Sequence, residues 1–131
     1  MAEAASWIAI VDDDPSVLKG LTRLLRTRAL HAKTYGSARE FLAALPEGRP
    51  DCLIVDLQMP EMNGLELLQH LTGEGIDIPT IIITAHGDVG VRGRSESAGA
   101  IAFLLKPLQD TALFAAIDAA RGAAPSLGRG P

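Results

Sequence analysis

The chain reads as an α/β domain, a single doubly wound sheet of five parallel strands with helices on both faces. Three observations predict this. Short apolar runs alternate with stretches whose apolar residues recur at helical spacing. Two early runs, Trp7–Val11 and Leu53–Val55, are continuous rather than alternating, as in strands buried on both faces. Both stop abruptly at aspartate: Asp12, Asp13 and Asp14 after the first, Asp56 after the second.

At 131 residues the chain suits one domain, large enough to bury a real core. We expect that domain to span residues 1–121, followed by a flexible tail or linker start over 122–131, where Gly, Ala, Pro and Ser dominate. No apolar stretch approaches the ~20 residues needed to span a bilayer, and the first residues lack the basic region of a signal peptide. The lone Cys52 has no partner for an intramolecular disulfide and fits a small core residue, compatible with the cytoplasm. A net charge of −4 argues against direct nucleic-acid binding, which normally requires a basic face.

In order, the first strand ends at Val11, and Pro15 opens a helix with Asp14 as its cap. Val17, Leu18, Leu21, Leu24 and Leu25 form that helix's apolar stripe, opposite Lys19, Arg23 and Arg26. A second strand covers Ala32 to Tyr35. Ser37 and Glu40 make a capping box for a helix through Phe41, Leu42 and Leu45, ended by Pro46 and Gly48. The central strand runs to Asp56. A Met-Pro pair and Asn63-Gly64 then lead into a helix carrying Leu65, Leu67, Leu68 and Leu71, stopped near Gly73 and Gly75. The fourth strand is Thr80–Thr84 and the fifth Ala102–Leu105. Asp110 opens a last helix with Leu113, Phe114, Ile117 and Ala120 on one side.

Between the fourth and fifth strands the pattern weakens. Residues 88–98 should form the fourth helix. Each interior glycine there costs about 1 kcal/mol relative to alanine, and Val89, Val91 and Ala98 are its only apolar side chains. Two expectations stand side by side: a short, frayed or displaced helix, or an ordinary one held by tertiary packing.

Strand–helix alternation implies right-handed crossovers. Five strands suit the flavodoxin-like order 2-1-3-4-5, with ligands at the carboxyl ends of the strands where the order reverses. Strands one and three are then neighbours, so Asp12, Asp13 and Asp56 converge at one rim. Two unit charges ~4 Å apart cost about 1 kcal/mol in water and about 4 kcal/mol at an effective dielectric of 20. Such a cluster needs protons or a cation, and short oxygen-only ligands suit Mg²⁺. At the same rim Thr84 offers a hydroxyl, Ala85 a backbone N–H and Lys106 a positive charge, all suited to phosphate oxygens. A nucleophilic carboxylate, a divalent ion and donors for three oxygens are the requirements of phosphoryl transfer to an aspartate.

Asp12-Asp13, Asp56, Thr84-Ala85 and Lys106-Pro107, with the run Val55-Asp56-Leu57-Gln58-Met59-Pro60-Glu61-Met62-Asn63-Gly64, resemble the receiver domain of two-component response regulators. The likeness extends from Trp7 to Ala120. The segments Ser37 to Pro46 and Ile76 to Val89 look most like receivers of nitrogen-fixation-type regulators with a helix-turn-helix output domain. The resemblance implies that Asp56 accepts a phosphoryl group from a histidine kinase or phosphotransfer protein. It implies Mg²⁺ bound by Asp13, Asp56 and the backbone carbonyl of Gln58, with Asp12 acting through water. Lys106 would pair with phosphoryl oxygens, and its bond to Pro107 would be cis. Thr84 would move toward the phosphate and Phe103 turn inward into the space vacated, while Gln58 and His86 would tune phosphate lifetime. Partner contact would involve the first helix near Pro15, Val17 and Leu18. A missing C-terminal output domain and a homodimer through the fourth and fifth helices also fit the family. Rather than an enzyme, the resemblance implies a signalling phosphoacceptor that assists its own phosphorylation and dephosphorylation.

Other readings are weaker. Asp12-x-Asp14 mimics the first motif of haloacid-dehalogenase-type phosphatases, but Lys106 follows Asp88 where that family's lysine precedes its late acids. A flavodoxin would need a hydroxyl- and glycine-rich phosphate loop where three aspartates stand. A module that keeps the fold and binds partners independently of phosphorylation would not need the full set of acids with Thr84 and Lys106.

Overall fold

The computed structural model describes residues 6–87 and 89–123. Its strands are β1 (Ile8–Val11), β2 (Ala32–Tyr35), β3 (Cys52–Asp56), β4 (Thr80–Thr84) and β5 (Ala102–Leu105), and all pair in parallel in the order 2-1-3-4-5. The helices are α1 (Pro15–Arg26), α2 (Ala38–Ala44), α3 (Gly64–Gly73), α4 (Val89–Ser97) and α5 (Asp110–Ala123). A single 3₁₀ turn, Leu45–Glu47, ends α2 where Pro46 removes a donor. Among the described residues no helix is long and apolar enough to cross a membrane.

Alternation along the strands sorts the core into two layers. Ala9, Val11, Leu53, Val55, Ile82 and Phe103 face α2 and α3. Ile8, Ile10, Cys52, Ile54, Ile81 and Ile83 face α1 and α5. The central strands β1, β3 and β4 are buried at every position, which is why they read as unbroken apolar runs. Cys52 is fully buried, and burial pushes its thiol up to about 12, so it is an inert core residue.

The helix starts follow from side-chain capping. Asp14 Oδ1 accepts from the Ser16 N–H at 2.9 Å and from the Ser16 hydroxyl at 2.7 Å, with Pro15 in the first turn. Ser37 caps α2 through the Glu40 N–H, but Glu40 reaches back to the Gly36 N–H rather than closing a reciprocal box. The reciprocal box belongs to α3: Asn63 Oδ1 accepts from Glu66 N–H, and Glu66 Oε1 from Asn63 N–H.

Two expectations need correction. The last helix runs through Gly122 to Ala123, two residues past the expected boundary; residues 124–131 of the expected tail lie outside the described part. In α4, Val89 does not join a buried stripe and is 90 % exposed. Residues two apart lie on opposite sides of a helix, so Val89 cannot share a face with Val91. The inward face is Val91, Ser95 and Ala98, and Ser95 is the only fully buried member, its hydroxyl donating to the Val91 carbonyl at 2.8 Å. The nine-residue α4 is therefore a formed helix with a thin apolar face.

Candidate functional site

Strand register builds the site as a staircase. Val11 pairs with Val55, so Asp12 leaves the sheet beside Asp56. Asp56 pairs with Ile83 and Thr84 with Leu105, which brings Thr84 and then Lys106 to the same carboxyl-end rim. One carboxylate oxygen from each of Asp12, Asp13 and Asp56 lies within 4.8 Å of the others. Asp12 and Asp56 are buried and Asp13 is exposed, so the cluster is covered from below and open to solvent on one side.

Lys106 spans the two buried acids, its Nζ 3.2 Å from Asp12 Oδ2 and 3.5 Å from Asp56 Oδ1. The Lys106–Pro107 bond is cis, as the resemblance implied. Asp12 is doubly engaged, since its Oδ1 also accepts the Asp14 N–H at 2.9 Å. Asp56 Oδ1 is buried without a hydrogen-bond partner; the lysine contact at 3.5 Å is an ion pair only. Burial raises the Asp56 carboxyl above the ordinary aspartate value, and the Asp12 charge raises it further. Lys106 and the Gln58 backbone N–H oppose that shift. For Lys106, burial pulls downward, but the Asp12 hydrogen bond and the two carboxylate charges outweigh it and raise its pKa.

These features fit a bound Mg²⁺. The donors are all oxygen, they converge, one is an orphaned buried carboxylate oxygen, and one acid stands exposed where water has access. Asp14 is not among them, because both its contacts go to Ser16; the same contacts lower its pKa, the Ser16 hydroxyl most. The paired acids of the phosphatase reading are therefore not assembled here, and Asp88 lies outside the described residues.

Thr84 is fully buried. Its hydroxyl donates to the His86 carbonyl at 3.0 Å and accepts the His86 N–H at 3.1 Å, folding the start of the β4–α4 loop back on itself. His86, Ala85 and Gln58 are exposed at the rim. Phe103 already occupies an inward position, 7 % exposed within the layer beneath α2 and α3.

Two supports escaped the sequence reading. A Cβ at Gly64 would stand 2.6 Å from the Asp56 carbonyl oxygen, so only glycine lets α3 begin this close behind the acid. Asn63 and Glu66 lock that start, and the N-x-x-E spacing could have signalled it. Arg39 and Glu61 form an exposed pair at 3.5 Å across the loop after β3, where Glu61 adopts a left-handed φ of 66°; no periodicity signals such a residue.

Comparison with known proteins agrees with this geometry. Residues 8–118 match the family described as response regulator receiver domain. The chain is 42 % identical over 113 residues to the transcriptional regulatory protein FixJ of Rhizobium meliloti (strain 1021), covering 86 % of this chain and 55 % of that protein. It is 40 % identical over 125 residues to the response regulator protein TodT of Pseudomonas putida, covering 95 % and 55 %. The chain thus spans about half the length of these relatives. The crystal structure of FixJ-N superposes with a TM-score of 0.84 at 40 % identity, covering 92 % of this chain and 97 % of that one.

Proposed function

The chain belongs to the response regulator receiver domain family, and we propose that its Asp56 carboxylate accepts a phosphoryl group from a histidine kinase or phosphotransfer protein. The observation that carries this is the convergence of Asp12, Asp13 and Asp56 with Lys106 at one rim of the sheet. An Asp56 oxygen attacks phosphorus, the bond from phosphorus to the donor nitrogen breaks, and the donor leaves with the electron pair and takes a proton. Asp13, Asp56 and the backbone carbonyl of Gln58 would hold Mg²⁺, and Asp12 would act through a water, consistent with both its oxygens being engaged already. Bound there, the ion neutralises charge on the transferring group.

The remaining work falls to this chain's own groups. Lys106 shifts its ammonium from the carboxylates to a phosphoryl oxygen. Ala85 presents its N–H, and Thr84 gives up its bonds to His86 to donate to another oxygen. Gln58 and His86, exposed beside the acceptor, govern how readily water reaches the acyl phosphate. A shallow cavity of about 280 Å³, lined by Val17, Gly20, Leu21, Leu24, Pro107 and Leu108, lies beside Lys106 and suits contact with the phosphoryl donor through α1. A cytoplasmic location, an output domain acted on by the phosphorylated state, and a homodimer through α4 and α5 belong to the same proposal.

Incubation with acetyl phosphate and Mg²⁺ should give a single base-labile phosphoryl adduct by intact mass, absent in Asp56→Asn and absent with chelator. An unmodified wild-type chain would favour a phosphorylation-independent interaction module instead.

A further inference from the structure

The segment after β4 closes on itself through Thr84 and His86, and Gly87 follows that closure. There it lies directly on β5. A Cβ at Gly87 would stand 2.7 Å from Leu105 Cδ2, 2.9 Å from Phe103 Cε1 and 3.3 Å from Phe103 Cζ. Gly87 is not among the positive-φ glycines of the described residues, Gly48, Gly75 and Gly99, so its backbone is open to any residue. Space, not conformation, demands glycine.

The neighbours differ in how far they can yield. Phe103 is buried in the core layer and pairs across the sheet with Ile82, and the Arg92 guanidinium lies 5.9 Å from its ring centroid. Leu105 is 54 % exposed and can turn toward solvent. The ring is thus the fixed seat and the loop is what rests on it.

We propose that Gly87 is a positioning residue for the phosphoryl site: its bare backbone lets the β4–α4 loop sit on the inward ring of Phe103 and so sets where the Thr84 hydroxyl and the Ala85 N–H stand. The inference rests on Asp56 being the phosphoryl acceptor. A methyl group at residue 87 lifts the loop from the ring, strains the Thr84–His86 hydrogen bonds and moves both donors relative to Asp56. Gly93 in α4 provides the contrast, because a Cβ there meets nothing within 4 Å.

The test uses the full chain with Gly87→Ala, Gly93→Ala, Leu105→Ala and the double variant Gly87→Ala/Leu105→Ala. Two quantities are read: hydrogen exchange of the His86 amide, and the initial rate of adduct formation from acetyl phosphate and Mg²⁺. In Gly87→Ala the His86 amide should exchange about tenfold faster, as for the loss of one ordinary hydrogen bond. Adduct formation should slow by about threefold or more. Leu105 can already turn aside and its removal leaves the contact with the fixed ring in place, so the double variant should keep most of both effects, while Gly93→Ala and Leu105→Ala alone match wild type. Unchanged exchange and rate in Gly87→Ala would overturn the proposal. So would a defect that Leu105→Ala relieves, since that would place the obstacle at the exposed leucine and not at the ring. If wild type forms no adduct, it is the acceptor reading that fails, and the exchange of His86 across the four variants still decides whether Gly87 seats the loop.

Discussion

At the scale of single residues, the site is a buried charge with too few partners. Asp56 stands next to Asp12, and burial and that second carboxylate raise its pKa against the opposing pull of Lys106 and the Gln58 backbone N–H. For an acid raised on folding, the ionised form is penalised in the folded state. The penalty is full above the folded pKa and is relieved as pH falls through it. Metal-free Asp56→Asn should therefore be more stable than wild type at neutral pH, by about 1–2 kcal/mol. The advantage should shrink on acidification through the folded Asp56 pKa. Thermal melts of both proteins in EDTA, taken stepwise from neutral pH toward acid, read this directly, and an advantage that grew toward acid would contradict it. The acids, Thr84 and Lys106 were legible in the sequence because each stands where an apolar run stops. Their hydrogen bonds were not: that Asp12 takes the Asp14 N–H and Thr84 binds His86 depends on loop geometry, which no periodicity encodes.

At the scale of elements, the central strands were legible because strands buried on both faces leave continuous apolar runs, whereas the helix ends were read less well. The chain after α1 turns through Ala29 at φ 58°, with the Leu30 N–H donating to the Leu25 carbonyl at 3.1 Å. That left-handed position favours glycine. Relief of roughly 1–2 kcal/mol there exceeds the entropy that glycine adds to the unfolded chain, so Ala29→Gly should stabilise by about 0.5–1 kcal/mol in urea unfolding. The fourth helix gives the opposite substitution. Gly93 sits in open space inside α4, and Gly93→Ala should gain about 1 kcal/mol of helix stability and slow amide exchange across Val89–Ser97. Exchange already as slow as in α1 would remove the idea that α4 frays. The sequence pattern was uninformative here because Val89 and Val91 cannot share a face, leaving Ser95 to satisfy its own hydroxyl within the helix. Gly122, read as the start of a tail, sits inside α5 instead, since one glycine near a helix end costs too little to stop it.

At the scale of the whole molecule, topology brings residues 44 positions apart in sequence, Asp12 and Asp56, to one rim. The order 2-1-3-4-5 followed from counting strand–helix units, and with it the location of the site. The proposed Mg²⁺ site, three acids against one lysine, is assembled only in the folded state, so Mg²⁺ at ~100 times its dissociation constant should stabilise the domain by about 2.7 kcal/mol. That corresponds to roughly 5–15 °C in melting temperature, and Asp56→Asn should lose most of it. In the proposed reaction Asp56 itself becomes the acyl phosphate. Borohydride reduction of acetyl-phosphate-treated protein followed by peptide mapping tests this most directly, because the hydride converts only the phosphorylated aspartate to homoserine. We expect homoserine at position 56, dependent on Mg²⁺; homoserine at Asp12 or Asp13, or none in a chain that carries the adduct, would contradict it.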